Sequence, residues 1–322
     1  MSVPHHSTLD NSALAFVFPG QGSQFVGMLK ESGEAYPLIR ETFEEASEAI
    51  SQDLWHLSQS GPQSELNQTE NTQPALLTAG VALWRVWQAQ GGVTPAYLAG
   101  HSLGEYTALV CAQALSLGQA VKLVKKRGEL MQAAVLPGQG AMAAILGLED
   151  ELVLAACQAA AEDQIVSPAN LNAPGQVVIA GDTAAVDRAI ALAKGKGAKR
   201  AIMLPVSVPS HCLLMHPAAL ELAVYLAQVT LAKPVIPLVH NVDLSLALDA
   251  HEIAKRLIGQ LESPVRWTET IRYLAQQGIK ALVECGPGKV LTGLNKRIQP
   301  ELTYFNIEMP SDLEMALEKL KN

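Results

Sequence analysis

"GHSLGEYTALVCA", residues 100–112, is the stretch on which the fold turns. Ser102 stands between two glycines, directly after the apolar run "PAYLAG" (95–100) and directly before a helix-like one. Glycines flanking a serine permit a sharp strand-to-helix turn. Such a turn lifts the hydroxyl clear of a sheet and aims the next amide, here that of Leu103, at a developing oxyanion. Without a strand before it and a helix after it, the same pentapeptide would describe an ordinary turn serine. Here both are expected, and Ser102 is a candidate nucleophile.

Working outward, "ALAFVFPG" (13–20) and "KALVECGPG" (280–288) read as short buried strands ending in glycine turns. "QPALLTAGVALWRVWQAQGG" (73–92) reads as an apolar helix closed by glycines. Strands alternating with helices predict an α/β fold, a parallel sheet with helices on both faces. The middle of the chain differs. "GAMAAILGL" (140–148) is strand-like and 149–162 helical, and "IVSPANLNAPG" and "QVVIAG" meet at a Pro-Gly turn. A helix over 182–198 and a strand over 199–206 follow. That order, β-α-β-β-α-β, is the pattern of a ferredoxin-like unit. The expected organisation is a small inserted subdomain at 135–206 between two segments, 14–134 and 207–322, of one catalytic domain. Residues 1–13 are polar, lack an apolar signal core and read as a tail.

With 49% hydrophobic and 17% charged residues, the 322-residue chain has the composition of a well-filled globule. Its net charge of −8 gives no broad basic field for nucleic acid or for an anionic membrane. The uncharged run "AIMLPVSVPSHCLLMHPAAL" is broken by three prolines and two histidines, which argues against a membrane span. Cys111, Cys157, Cys212 and Cys285 lie far apart with no metal-like spacing, as reduced thiols of a cytoplasmic protein would. No dimerisation segment stands out, so a monomer is expected.

A serine nucleophile needs a base. His5 and His6 fall in the tail, His56 in a surface-like segment, and His101 beside the serine is better suited to shaping the pocket. His211, after two proline turns at the junction of the subdomain and the returning main domain, is the better candidate. Cys212 is a poor nucleophile candidate, because adjacent helical positions do not face one another. A second anomaly lies in "QAVKLVKKRGELMQAAV" (119–135). Ala120, Leu123, Val124, Leu130, Met131 and Ala134 form an apolar stripe with Arg127 in its middle. An inward arginine needs an anion. Either an internal Asp or Glu pairs with it, or it holds a carboxylate on the substrate, which would make the acyl group a diacid half-ester.

Taken together, "FVFPGQGSQFVGML" (16–29), "GHSLGEYTALV", "GAMAAILGL", "NLNAPGQVVIAG" (170–181), "LPVSVPSHCLLM" (204–215), "SPVRWTETI" (263–271) and "ECGPGKVLTGL" (284–294) resemble the malonyl-CoA:acyl carrier protein transacylase family, from about Leu14 to beyond Arg297. The likeness is to the stand-alone bacterial enzyme of dissociated fatty acid synthesis. It implies an α/β-hydrolase-like core with an inserted ferredoxin-like subdomain, and ping-pong transfer of malonyl from malonyl-CoA to the phosphopantetheine thiol of acyl carrier protein, with no metal or other cofactor. By motif, Ser102 would be acylated, His211 would be its base, and Arg127 would hold the malonyl carboxylate beside His101. Gln21 and the Leu103 amide would form the oxyanion hole. A backbone carbonyl at Gln260 would orient His211, which makes a Ser-His dyad. Two positions depart from the pattern: His240 stands where Asn is expected and Cys285 where Val is usual. Neither falls on the dyad or the arginine. An acidic carrier protein would dock on a basic patch, with Lys194, Lys196, Lys199 and Arg200, or Lys289, Lys296 and Arg297, as candidates. Two other classes make distinct predictions: a serine hydrolase would need an acid such as Asp243 behind the histidine, and a non-catalytic scaffold would not need Ser102.

Overall fold

The computed structural model describes residues 13–206, 208–247 and 249–321. The expected tail, with His5 and His6, lies outside them except for Ala13.

Five strands form a wholly parallel sheet: β1 (Leu14–Phe18), β2 (Tyr97–Gly100), β7 (Leu238–Val239), β8 (Ala281–Glu284) and β9 (Thr303–Asn306), in the order β7-β2-β1-β8-β9. β1 shows why its sequence is apolar throughout. Leu14, Phe16 and Phe18 enter one core, whereas Ala15 and Val17 enter another. A strand covered on both faces has no polar side to display. Phe16 packs edge-to-face on Trp84 and Trp87, at centroid distances of 5.2 and 5.1 Å. Both tryptophans belong to helix α5 (Thr69–Ala89), which covers that face. The opposite face is covered by α12 (Trp267–Gln276) and α13 (Val290–Ile298), through Trp267, Ile271 and Leu291.

The first two strands neighbour each other, while the chain returns on the far side of β1 as β8. The carboxyl ends of β1, β2 and β8 therefore surround the place where the direction of winding reverses, the usual site of a ligand crevice in open parallel sheets. Between α7 (Leu117–Ala133) and the second half of the sheet the chain forms β3 (Gly140–Leu146), α8 (Asp150–Ala161), β4 (Val166–Ala173), β5 (Gln176–Asp182), α9 (Thr183–Gly195) and β6 (Arg200–Met203). These four strands make a separate antiparallel sheet ordered β4-β5-β3-β6. β4 and β5 meet at Pro174–Gly175, as the Pro-Gly pair predicts.

The long apolar helix begins four residues earlier than its pattern suggests. Thr69, Asn71, Thr72 and Gln73 precede Pro74 in α5 and are buried although polar. Gln73 reaches α7 at Arg127, and Gly128 lets the two helices close: a Cβ there would lie 2.6 Å from Glu70 Cα. Among the described residues no helix is long and apolar enough to cross a membrane.

Candidate active site

The two glycines around Ser102 are required by the close approach of three backbones. A Cβ on Gly100 would fall 1.9 Å from the carbonyl carbon of Gly104, and one on Gly104 would fall 2.0 Å from the Phe18 carbonyl oxygen. β2 can therefore turn at once into α6 (Gly104–Cys111), and Ser102 takes φ 50°, a left-handed conformation that side-chain-bearing residues rarely hold. The conformation is pinned from below. The Ser102 amide donates to Asn241 Oδ1 at 2.8 Å, and Asn241 Nδ2 donates to the Gly100 carbonyl at 2.6 Å.

His211 meets Ser102, with Nε2 2.8 Å from Oγ. Its φ of 64° is also left-handed, and it follows Pro209 and Ser210 on the junction loop. Its Nδ1 lies 2.7 Å from the Gln260 carbonyl. A carbonyl only accepts, so Nδ1 carries the hydrogen and Nε2 is left to accept from the serine. The carbonyl occupies the place an aspartate would take in a triad. Asp243, the acid a hydrolase reading requires, is paired instead with Arg256 at 3.1 Å and is half-exposed. Burial first and the charge of Arg127 second push the pKa of His211 down to about 3, so the free imidazole is a neutral acceptor.

Arg127 points inward from α7 and is 1% exposed. No carboxylate lies within ion-pair distance of it among the described residues. The internal ion pair is therefore absent, for a visible reason: Nη1 donates to Gln73 Oε1 and Nη2 to Gln260 Oε1, each at 2.9 Å, so neutral amide oxygens hold the guanidinium. Nη2 is also 3.4 Å from Ser102 Oγ, and the group lies over the Tyr106 ring at 5.2 Å. Nε has no hydrogen-bond partner among the described residues. A desolvated cation, undersupplied with acceptors and 3.4 Å from Ser102 Oγ, can take an anionic partner.

A cavity of about 720 Å³ opens over these groups, lined by Ser102, His211, Arg127, His101, Gln21 and Leu103 among others. His101 Nε2 donates to Asn172 Oδ1 of β4 at 2.8 Å, and burial lowers the pKa of the ring. It thereby ties the cavity wall to the antiparallel sheet. Leu103 opens α6, and no acceptor among the described residues takes its amide. Gln21 is exposed, and its side chain donates to Thr69 Oγ1 at 3.3 Å rather than to Ser102. Cys212 is buried with its thiol on the Pro209 carbonyl, and burial raises its pKa to about 12. The basic groups Lys194, Lys196, Lys199 and Arg200 are exposed at the end of α9 and the start of β6, and none lines the cavity. Lys289 pairs with Asp312 at 3.0 Å, and Arg297 donates to the Pro174 carbonyl at 3.0 Å.

Four residues of the site do not announce themselves in the sequence: Gln73, Glu105, Asn241 and Asn172. One available signal is Glu105, an acid in the apolar run "EYTALV".

A serine in hydrogen-bond reach of a neutral imidazole, with an unpaired amide and a buried cation beside it, is an arrangement that can support acyl transfer. The chain matches the acyl transferase domain family over residues 15–299. It is 58% identical over 303 residues to a malonyl CoA-acyl carrier protein transacylase of Salmonella typhimurium, covering 94% of this chain and 98% of the relative. It is 45% identical to the enzyme of that name from Bacillus subtilis, over 96% and 98% of the two chains. The solved malonyl CoA-acyl carrier protein transacylase of Coxiella burnetii superposes with a TM-score of 0.95 at 52% identity, over 96% of this chain and 98% of that one. A malonyl-transacylase solved in complex with a type II PKS acyl-carrier protein superposes at 0.94 with 53% identity, over 95% and 99%. The chain therefore belongs to the acyl transferase family, and within it to the malonyl CoA-acyl carrier protein transacylases.

Proposed function

We propose that this enzyme moves a malonyl group from malonyl-CoA to the phosphopantetheine thiol of acyl carrier protein through an ester on Ser102, supplying fatty acid elongation. The observation that carries the residue roles is the 2.8 Å contact of Ser102 with a carbonyl-oriented His211, beside an Arg127 that no carboxylate neutralises. His211 takes the serine proton as Oγ attacks the thioester carbon. The Leu103 amide, joined by Gln21 on rearrangement, faces the oxyanion, and CoA leaves as the thiol with that proton. The carrier's thiol then gives its proton to His211 as its sulfur attacks the malonyl ester, and His211 passes that proton to the leaving Ser102 Oγ, which regenerates the serine. Arg127 grips the distal carboxylate throughout, with His101 shaping the wall. No metal or further cofactor takes part.

The parallel sheet serves as an α/β-hydrolase-like core, formed by 14–134 and 207–322. The antiparallel sheet, with strand order β4-β5-β3-β6, serves as a ferredoxin-like subdomain inserted at 135–206. The protein acts as a cytoplasmic monomer, and the acidic carrier approaches over the exposed Lys194–Arg200 cluster. Initial rates measured against both malonyl-CoA and holo-acyl carrier protein test the scheme. Parallel double-reciprocal lines are expected; intersecting lines, or steady CoA release beyond one equivalent of enzyme in the absence of a thiol acceptor, refute it.

A further inference from the structure

Arg127 and Glu105 are both buried, at 1% and 0% exposure, yet they do not meet. The side-chain amide of Gln260 stands between them. Its Oε1 accepts from Arg127 Nη2 at 2.9 Å, and its Nε2 donates to Glu105 Oε2 at 2.8 Å. The Glu105 carboxylate has two further donors, His240 Nδ1 at 2.6 Å and the Asn241 amide at 3.1 Å. His240 is fully buried, and its Nε2 has no partner among the described residues, so the bond to Glu105 is what fixes the ring. Glu105 follows Ser102 by three residues in the first turn of α6, and Gln260 Nε2 also donates to the Ser102 carbonyl at 3.0 Å.

A carboxylate accepts and never donates, so Glu105, together with the Ser102 carbonyl, dictates which end of the Gln260 amide faces which way. With the amide reversed, its NH2 would face the guanidinium, donor against donor. With Glu105 in direct contact, the charge of Arg127 would be neutralised inside the protein. We propose that Glu105, backed by His240, is a positioning residue for acyl selectivity: by orienting Gln260 it holds Arg127 on neutral oxygens and leaves its charge for the carboxylate of the incoming acyl group. His240, which replaces the expected Asn, thus acts on the site at two removes. The inference rests on the acyl-transfer reading above.

The test compares Ser102 loading rates for malonyl-CoA and acetyl-CoA in wild type, Glu105→Gln, His240→Leu and His240→Asn, with folding checked by circular dichroism. A network that served only stability would lower both rates together. The expected result is a fall of about ten- to a hundredfold in the malonyl-to-acetyl ratio for Glu105→Gln, the worth of a hydrogen bond to a charged group. A smaller fall is expected for His240→Leu. His240→Asn, which still offers Glu105 a donor, should recover most of the ratio. Equal losses for both acyl groups, or an unchanged ratio in folded Glu105→Gln, overturn the inference. Should that variant not fold, a wild-type ratio in His240→Leu does so. A wild type that loads no malonyl overturns the proposed function instead, and this inference with it.

Discussion

Replacing Arg127 by alanine removes the cation that the site leaves without a carboxylate. In the unliganded protein the change orphans two amide oxygens, Gln73 Oε1 and Gln260 Oε1, but it also removes a charge held at 1% exposure. These effects oppose each other, so a modest change in melting temperature is expected. With malonyl-CoA nothing offsets the loss, because the substrate carboxylate would enter a buried corner of the cavity with no cation to meet it. Truncating one member of a buried charge pair costs about 2–5 kcal/mol, which corresponds to roughly 30- to 5,000-fold in kcat/KM. Acetyl-CoA offers no carboxylate, and the contact of Arg127 with Ser102 Oγ is long at 3.4 Å. Its rate should change by no more than about tenfold. Arg127→Lys should recover little, since one ammonium cannot reach both amides and a carboxylate as the planar fork does. The assay is kcat/KM for both thioesters with each variant. Equal losses for malonyl and acetyl would refute the reasoning, because Arg127 would then serve structure or Ser102 rather than the acyl carboxylate.

Four further outcomes are expected. Gly104→Ala places a Cβ 2.0 Å from the Phe18 carbonyl oxygen, so α6 must leave β1; a loss of about 3 kcal/mol or more by denaturant titration is expected, and an unchanged midpoint would contradict it. His211, depressed from 6.5 to about 3, is neutral throughout the neutral range, so kcat/KM for malonyl-CoA should show no acidic limb near its ordinary pKa. Below pH 6.5 the unfolded chain binds a proton that the folded one refuses, so folding stability should fall by about 1.4 kcal/mol per pH unit relative to His211→Gln; equal pH slopes for the two proteins would contradict this. Asp243→Asn removes a half-exposed partner of Arg256 and should leave kcat/KM within about twofold, whereas a large loss would restore a catalytic acid.

The parts of the site legible in the sequence are those whose residue types conflict with their surroundings. Ser102 between glycines and Arg127 in an apolar stripe are such conflicts, and the structure brings both to one cavity with His211. The parallel strands were legible where both faces are buried, as in β1. β7, a two-residue strand, offers no period to read, and the four residues of β9 grow more buried along the strand instead of alternating. The neutral partners were hidden for a different reason. Gln73 and Asn241 look like ordinary polar residues until packing buries them against a charge or a backbone turn. The contact of Gln260 with His211 is made by its carbonyl, which every residue has, so only family likeness points to it. Whether Arg127 met an internal acid was undecidable from spacing, because the answer depends on an amide from α11 (Ala250–Gln260), more than a hundred residues away.

The most direct test of the account is intact-protein mass spectrometry after mixing with malonyl-CoA, with Ser102→Ala alongside. The account predicts a malonyl adduct on the wild type that persists until a pantetheine thiol is added, and none on the variant. An unmodified wild type that steadily releases CoA would contradict it, since water and not a carrier thiol would then be the acceptor.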